Sequence, residues 1–193
     1  AKIVVMYCDH LASLDCVRGT LYRELLLLAD HCIVPSQAMA RLARPFLKYP
    51  TELTVIEDPW QLRLQPYPEL TSDGTLRIAW FGNNSNAGYV CERLENLMTS
   101  INAVSSVEFV MLAKRLALDM VKPVFDKTLP SAIRRWSLVS HVWDHSQQPD
   151  QLERVLGSSH VAWIPSNPTD LLKAGISHNR LVDSVRSGCI PVS

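Results

Sequence analysis

Arg77-Ile78-Ala79-Trp80-Phe81 runs without a break into Gly82-Asn83-Asn84-Ser85-Asn86-Ala87-Gly88, after which Val90, Leu94, Leu97, Met98 and Ile101 recur at steps of three and four. A short apolar run, a turn rich in glycine and asparagine, and an apolar stripe at helical period read as a strand feeding an amphipathic helix. Such βα pairs in series build a mostly parallel sheet, so this stretch places the chain in the α/β class.

The same alternation continues downstream. Val107 to Leu112 reads as a strand and Lys114 to Phe125 as a helix, with Pro123 near its end. Trp136 to Val142 is the next strand, and Pro149 opens a helix that stops at Gly157. His160 to Ile164 reads as a buried strand, Asn179 to Ser187 as a short helix closed by Gly188, and Cys189 to Val192 as a last strand. Upstream, Lys2 to Tyr7 is expected to be a buried strand, Arg18 to Ala29 a helix, Cys32 to Val34 a strand, and Leu53 to Ile56 another. Between the last two, Ser36 is the N-cap of a helix expected to reach Leu47. Periodicity lapses from Glu57 to Thr75, where prolines and Ser72-Asp73-Gly74 break every pattern; this marks a crossover linker and a domain boundary. The first strand begins at residue 2 and the last ends at residue 192, so both edges look cut and a fragment is expected.

Composition removes several function classes. The chain has 193 residues, 47% hydrophobic and 20% charged, which is ordinary for a globular protein and unlike a disordered one. Nineteen basic residues balance nineteen acidic ones, so the excess expected of a nucleic-acid or anionic-lipid binder is missing. Apolar stretches such as Leu25 to Ala29 are far below the roughly 20 residues that span a bilayer. No signal-peptide pattern opens the chain. Five scattered cysteines with no Cys-x-x-Cys pair argue against a zinc ribbon or disulfide framework and for reduced, buried thiols. His141 and His145 lie four apart but have no helical setting and no third ligand, so no metal site is expected. A cytoplasmic location follows, either free or peripheral to the inner membrane.

In an open α/β sheet, ligands bind beyond the carboxyl ends of the strands. Gly82 to Gly88 lies at such an end. Gly and Asn tolerate positive φ, and successive amides so arranged form an anion-binding concavity, to which a following helix adds its dipole; an ordinary polar loop with an Asn cap is the alternative. The loop lacks Gly-x-Gly-x-x-Gly spacing, which argues against a dinucleotide-dependent oxidoreductase or epimerase. The second stretch runs from Ile164-Pro165-Ser166-Asn167-Pro168 to Lys173 and on to Ser177-His178-Asn179-Arg180. Lys173 and Arg180 near a helix start, capped by Ser177 or Asn179, suit a diphosphate; a solvated Lys and a structural Arg are the alternative. Asp183 either accepts two ribose hydroxyls or complements the helix dipole. His10, directly after the first strand, is either a proton-transfer or hydrogen-bonding group or a structural histidine.

These segments together resemble the GT-B glycosyltransferases, specifically the large retaining family (group 1 type) that uses nucleotide-sugar donors. The likeness is carried in order by Ala29-Asp30-His31-Cys32-Ile33-Val34-Pro35-Ser36, by Val55-Ile56-Glu57-Asp58-Pro59, and by Ile78-Ala79-Trp80-Phe81-Gly82-Asn83. Its most specific part runs from Lys173 through Asn179-Arg180-Leu181-Val182-Asp183 to Gly188-Cys189-Ile190-Pro191-Val192. The resemblance implies two Rossmann-like domains. Residues 1–57 would be the C-terminal part of the acceptor domain, 58–75 the linker, and 76–193 the nucleotide-sugar-binding domain, incomplete at its C-terminus.

It further implies that Gly82, Asn83 and Asn84 pack against the donor phosphates and that Asn179 and Arg180 form the turn at the diphosphate-binding helix. Asp183 would hold the ribose, Val142 and Trp143 the nucleobase, and His10 the donor sugar. Two departures stand out: Asn83 to Gly88 offers neither the Arg nor the Lys many members carry there, and Gly175 replaces the first of the family's two acidic residues eight apart. The expected activity is transfer of a sugar from a nucleotide diphosphate sugar to an acceptor hydroxyl on a saccharide or lipid-linked glycan. No cofactor, metal or nucleic acid is expected. His10, Lys173 and Arg180 are the catalytic candidates, the two cations stabilising charge on the leaving diphosphate. A Rossmann-like module that binds a nucleotide without turnover is the alternative.

Overall fold

The computed structural model describes residues 2–59, 61–70, 72–101, 106–128, 135–144, 146–167, 169–170 and 178–193. The chain forms two compact units: Ala1–Trp60 with Asn167–Asn179, and Gln61–Ser166 with Arg180–Ser193.

In the first unit, β1 (Val4–Met6), α1 (Val17–Leu28), β2 (His31–Val34), α2 (Gln37–Ala43) and β3 (Glu52–Val55) follow one another. The strands are parallel in the order β1-β2-β3, with Val5 opposite Cys32 and Cys32 opposite Leu53. Tyr7, Leu26, Cys32, Val34, Met39 and Ala43 make its core. Ser36 caps α2 as expected, its Oγ accepting from the Met39 N–H at 3.0 Å. The α-helix ends at Ala43, short of Leu47, and Arg44–Phe46 form a 3₁₀ turn. Pro45 is the reason: it has no N–H for the next helical bond, and its ring crowds the preceding turn. The first strand also differs from the buried run expected of it. Val4 and Met6 are 58% and 69% exposed, while Val5 and Tyr7 turn inward, the alternation of a strand with one covered face.

The second unit contains β4 (Leu76–Gly82), α3 (Asn84–Ser100), β5 (Val107–Ala113), α4 (Arg115–Thr128), β6 (Trp136–Val142), α5 (Gln151–Gly157), β7 (Val161–Trp163), α6 (Asn179–Arg186) and β8 (Ile190–Val192). Asn179, the first residue of α6, groups with the other unit. All five strands are parallel, in the order β6-β5-β4-β7-β8. Both faces are covered, as a parallel sheet requires. Ile78, Trp80, Phe109 and Met111 pack with Val90, Leu94 and Met98 of α3 and Val121 and Phe125 of α4. Ala79, Phe81, Val110 and Leu112 pack with Leu152, Val155 and Leu156 of α5. Pro123 sits inside α4, which continues to Thr128.

The irregular segment after Trp60 is a strap fixed to this unit rather than a loose connection. Gln65 N–H donates to the Arg186 carbonyl at 2.7 Å, Arg186 Nε donates to the Leu62 carbonyl at 2.7 Å, and Leu62 is buried. Gly188 closes α6 with φ +82°, and a side chain there would run into the Pro66 carbonyl, so only glycine serves both turn and strap. Among the described residues no helix is long and apolar enough to cross a membrane.

Candidate functional site

The strand order fixes where a ligand fits. From β4 the chain crosses through α3 to β5 on one side; from β7 it returns through α6 to β8 on the other. The crevice beyond the carboxyl ends of β4 and β7 is therefore the switch point at which open α/β sheets take ligands. Gly82 ends β4 there, Asn83 is the single connecting residue, and α3 starts at Asn84. The glycine–asparagine loop expected from sequence is absent. Among the described residues positive φ occurs at Gly74 and Gly188 only, and Gly88 lies within α3. Asn83 is extended, with φ −98° and ψ 176°, and its Oδ1 accepts from Ser85 Oγ at 2.7 Å. An anion at this point would meet the start of a helix, not a concavity of left-handed residues.

Arg180 reaches this point from α6. A methyl group placed on Gly82 would lie 3.7 Å from Arg180 Nη1, 3.7 Å from Asn86 Cβ and 3.2 Å from Trp80 Cζ2. Gly82 thus lets a guanidinium approach bare backbone. Arg180 Nη1 is buried without a hydrogen-bond partner among the described residues, and burial pulls the guanidinium pKa down. Three more buried groups on β4 and α3 lack partners among the described residues: Trp80 Nε1, Asn84 Oδ1 and Asn86 Oδ1. Buried polar groups are nearly always satisfied, and each orphan costs about 1–3 kcal/mol. Of these residues, Arg180, Asn86 and Trp80 have atoms within 4 Å of the place a Gly82 methyl would occupy.

Other expected site residues sit elsewhere or are engaged. Asp183 is only 3% exposed, and its Oδ1 accepts the Gln61 N–H of the strap at 3.0 Å. As the fifth residue of α6 it lies beyond the first turn, where dipole complementation acts. Asn179 is the first helical residue of α6, and its Nδ2 donates to Asp58 Oδ2 at 3.1 Å. Val142 ends β6, its carbonyl accepting from Gln151 Nε2 at 3.1 Å. Trp143 donates its N–H to the Ala113 carbonyl at 2.8 Å, and its ring meets Phe81 edge-on at 6.3 Å. In the first unit, His10 is 6% exposed, with Nδ1 3.0 Å from Tyr7 Oη, which accepts the Ala12 N–H at 3.0 Å. With the Ala12 N–H on one lone pair, a Tyr7 hydroxyl that donates to His10 Nδ1 leaves neither buried group unpaired, and the neutral imidazole then carries its proton on Nε2. Burial lowers the His10 pKa. Lys173, Ser177 and His145 lie outside the described residues. Among the described residues, no three His, Cys, Asp or Glu side chains are grouped as metal ligands would be.

A cavity of about 320 Å³ beside α5, lined by Arg77, Glu108, His141 and Arg154 among others, has a different character. Its charges are paired within the unit: Arg77 with Glu108 at 2.9 Å and Arg154 with Asp150 at 3.3 Å.

Sequence reasoning missed Asn86 and Trp80. The signal for Asn86 was present: Asn86, Val90, Leu94 and Met98 recur at steps of four, and all four are buried. A polar residue at the head of an apolar stripe is the mark of a buried polar group. Trp80 gave no signal, because a tryptophan in an apolar strand is ordinary core.

No family model matches this chain, and no curated protein matches it. Solved structures do. It is similar to the pneumococcal O-GlcNAc transferase GtfA in complex with UDP and GlcNAc, with TM-score 0.59 and 9% identity, over 99% of this chain and 37% of that one. It is also similar to the lipopolysaccharide outer core galactosyltransferase WaaB in its apo form, with TM-score 0.52 and 10% identity, over 98% of this chain and 55% of that one. The chain thus spans between about a third and somewhat over half of these structures. At such identity the likeness speaks to the fold, and the fold is the α/β, Rossmann-like parallel-sheet architecture of GT-B glycosyltransferase structures.

Proposed function

We propose that this chain is part of a glycosyltransferase that moves a sugar from a nucleotide diphosphate sugar to an acceptor hydroxyl. One observation carries the reading: the unpartnered Arg180 guanidinium lies against Gly82, where β4 passes into α3, at the switch point of the five-stranded sheet. A diphosphate supplies what that place lacks. Its oxygens accept from Arg180 Nη1, and its charge is favoured by the α3 dipole. As the sugar–oxygen bond breaks, negative charge grows on the departing diphosphate, and a cation already fixed in a poorly solvated position stabilises it without reorganisation.

The remaining roles follow from the resemblance. Lys173 adds a second cation, and Asn83, Asn84 and Asn179 line the phosphate turn. The resemblance gives the ribose to Asp183, through the carboxylate oxygen other than the one that accepts the Gln61 N–H, and the base to Val142 and Trp143. His10 contacts the donor sugar, and its tautomer makes it a hydrogen-bond donor through Nε2 rather than a base there. The absence of an assigned base suits a retaining outcome.

Calorimetric titration with UDP, GDP and ADP tests the reading. One of them binds the native chain, and Arg180→Ala weakens that binding by roughly 1.5–3 kcal/mol, the range for a charge-assisted hydrogen bond. An unchanged dissociation constant removes Arg180 from the site. A donor-hydrolysis assay then separates a transferase from a module that binds without turnover.

A further inference from the structure

Arg180 and Asn86 present opposite needs at one point. Nη1 of Arg180 and Cβ of Asn86 each lie 3.7 Å from the place a Gly82 methyl would occupy, yet Nη1 lacks an acceptor and Asn86 Oδ1 lacks a donor. Asn86 is 7% exposed, so water cannot serve Oδ1 freely. Asn84 Oδ1, one residue into α3, is orphaned in the same way. A diphosphate answers only half of this. Its oxygens accept and carry negative charge, and an amide carbonyl facing them would be repelled. The two carbonyls need hydroxyl or N–H donors.

We propose that Asn86 accepts hydrogen bonds from hydroxyls of the sugar carried on the diphosphate, making Asn86 a specificity-determining residue for the glycosyl unit. The inference rests on the diphosphate reading of Arg180 and adds to it a ligand that accepts on one side and donates on the other. The ribose of the nucleotide also bears hydroxyls, so the test must separate the two sources. A site built to bond a hydroxyl discriminates strongly against a ligand without it, because its own buried group is then left unpaired.

The experiment titrates the native chain and Asn86→Leu with UDP, GDP and ADP, and with UDP-glucose, GDP-mannose and ADP-glucose. Leucine keeps the branch at Cγ and removes the acceptor. The expected result is an affinity loss of about ten-fold for the sugar nucleotide, with the matching nucleotide changed less than about two-fold. Thermal unfolding checks that Asn86→Leu is folded, and Asn86→Ala carries the same comparison if the larger leucine prevents folding. Equal losses for nucleotide and sugar nucleotide assign the hydroxyls to the ribose and overturn the proposal, as does no change for either. If the native chain binds none of the six ligands, the diphosphate reading itself falls.

Discussion

The polar groups around His10 and those around Arg180 are both buried at strand ends, and they are wired in opposite ways. In the first unit the Ala12 N–H donates to Tyr7 Oη, and the hydroxyl donates on to His10 Nδ1; Phe46 packs beside the imidazole. In the second, Arg180 Nη1, Trp80 Nε1 and the Oδ1 atoms of Asn84 and Asn86 have no partner among the described residues. A closed chain of hydrogen bonds fixes a structure and leaves His10 only Nε2 to offer. An open set costs stability until a ligand closes it. The difference separates a group held in place from a group kept waiting.

Cutting the closed chain has the largest expected effect. Tyr7→Phe leaves the Ala12 N–H and His10 Nδ1 without partners in a buried place, a loss of roughly 2–4 kcal/mol from two orphaned groups. Urea denaturation measures it; a loss below about 0.5 kcal/mol would mean that the first cluster is as open as the second. The open set responds the other way. Arg180→Met removes a cation whose desolvation nothing compensates, so the apo chain keeps its stability or gains some. Diphosphate affinity falls over the same change by about 1.5–3 kcal/mol. A drop in unfolding temperature of the apo chain would instead show Arg180 to be a structural cation. Gly82→Ala is subtler. Its methyl meets Trp80 Cζ2 at 3.2 Å and stands beside Nη1, so stability changes by less than about 1 kcal/mol while nucleotide binding weakens several-fold. Equal binding by the variant would place the ligand away from Gly82.

Much of this architecture was legible in sequence because each βα pair announces itself by two periods. Ile78, Trp80, Phe109 and Met111 alternate as strand residues on one face, and Val90, Leu94 and Met98 recur as a helix stripe. Local rules failed where one residue decided the outcome. Pro45 ended a helix whose apolar pattern continued to Leu47. Gly82 and the asparagines suggested a left-handed loop, although asparagine merely tolerates positive φ, and here α3 begins at once. The site was legible as a place and not as a set of partners. Arg180 could be assigned to a strand end, but that Asp183 would hold the strap through Gln61, 122 residues earlier, is a tertiary fact with no local signature. Asn86 was open to detection from its place on the buried stripe, provided the turn was read as helix.

The pH dependence of the first unit makes the smallest test, and its sign follows from burial alone. Because desolvation lowers the His10 pKa in the folded chain, the unfolded chain binds the proton more readily. Below the unfolded value near 6.5, protonation therefore favours unfolding, and stability contributed by neutral His10 is lost as pH falls from there through the folded value. Above that window the contribution is complete and flat. Protonation at Nδ1 also turns an acceptor into a donor, so the Tyr7 hydroxyl has to swing its own proton away to accept from the imidazole, which leaves that buried proton without a partner. Measured by urea denaturation from pH 7 down to pH 5, the native chain should lose stability more steeply than His10→Gln, which has no proton to gain. Identical slopes would mean that the imidazole is as well solvated folded as unfolded, and the closed wiring around Tyr7 would then have to be open to water.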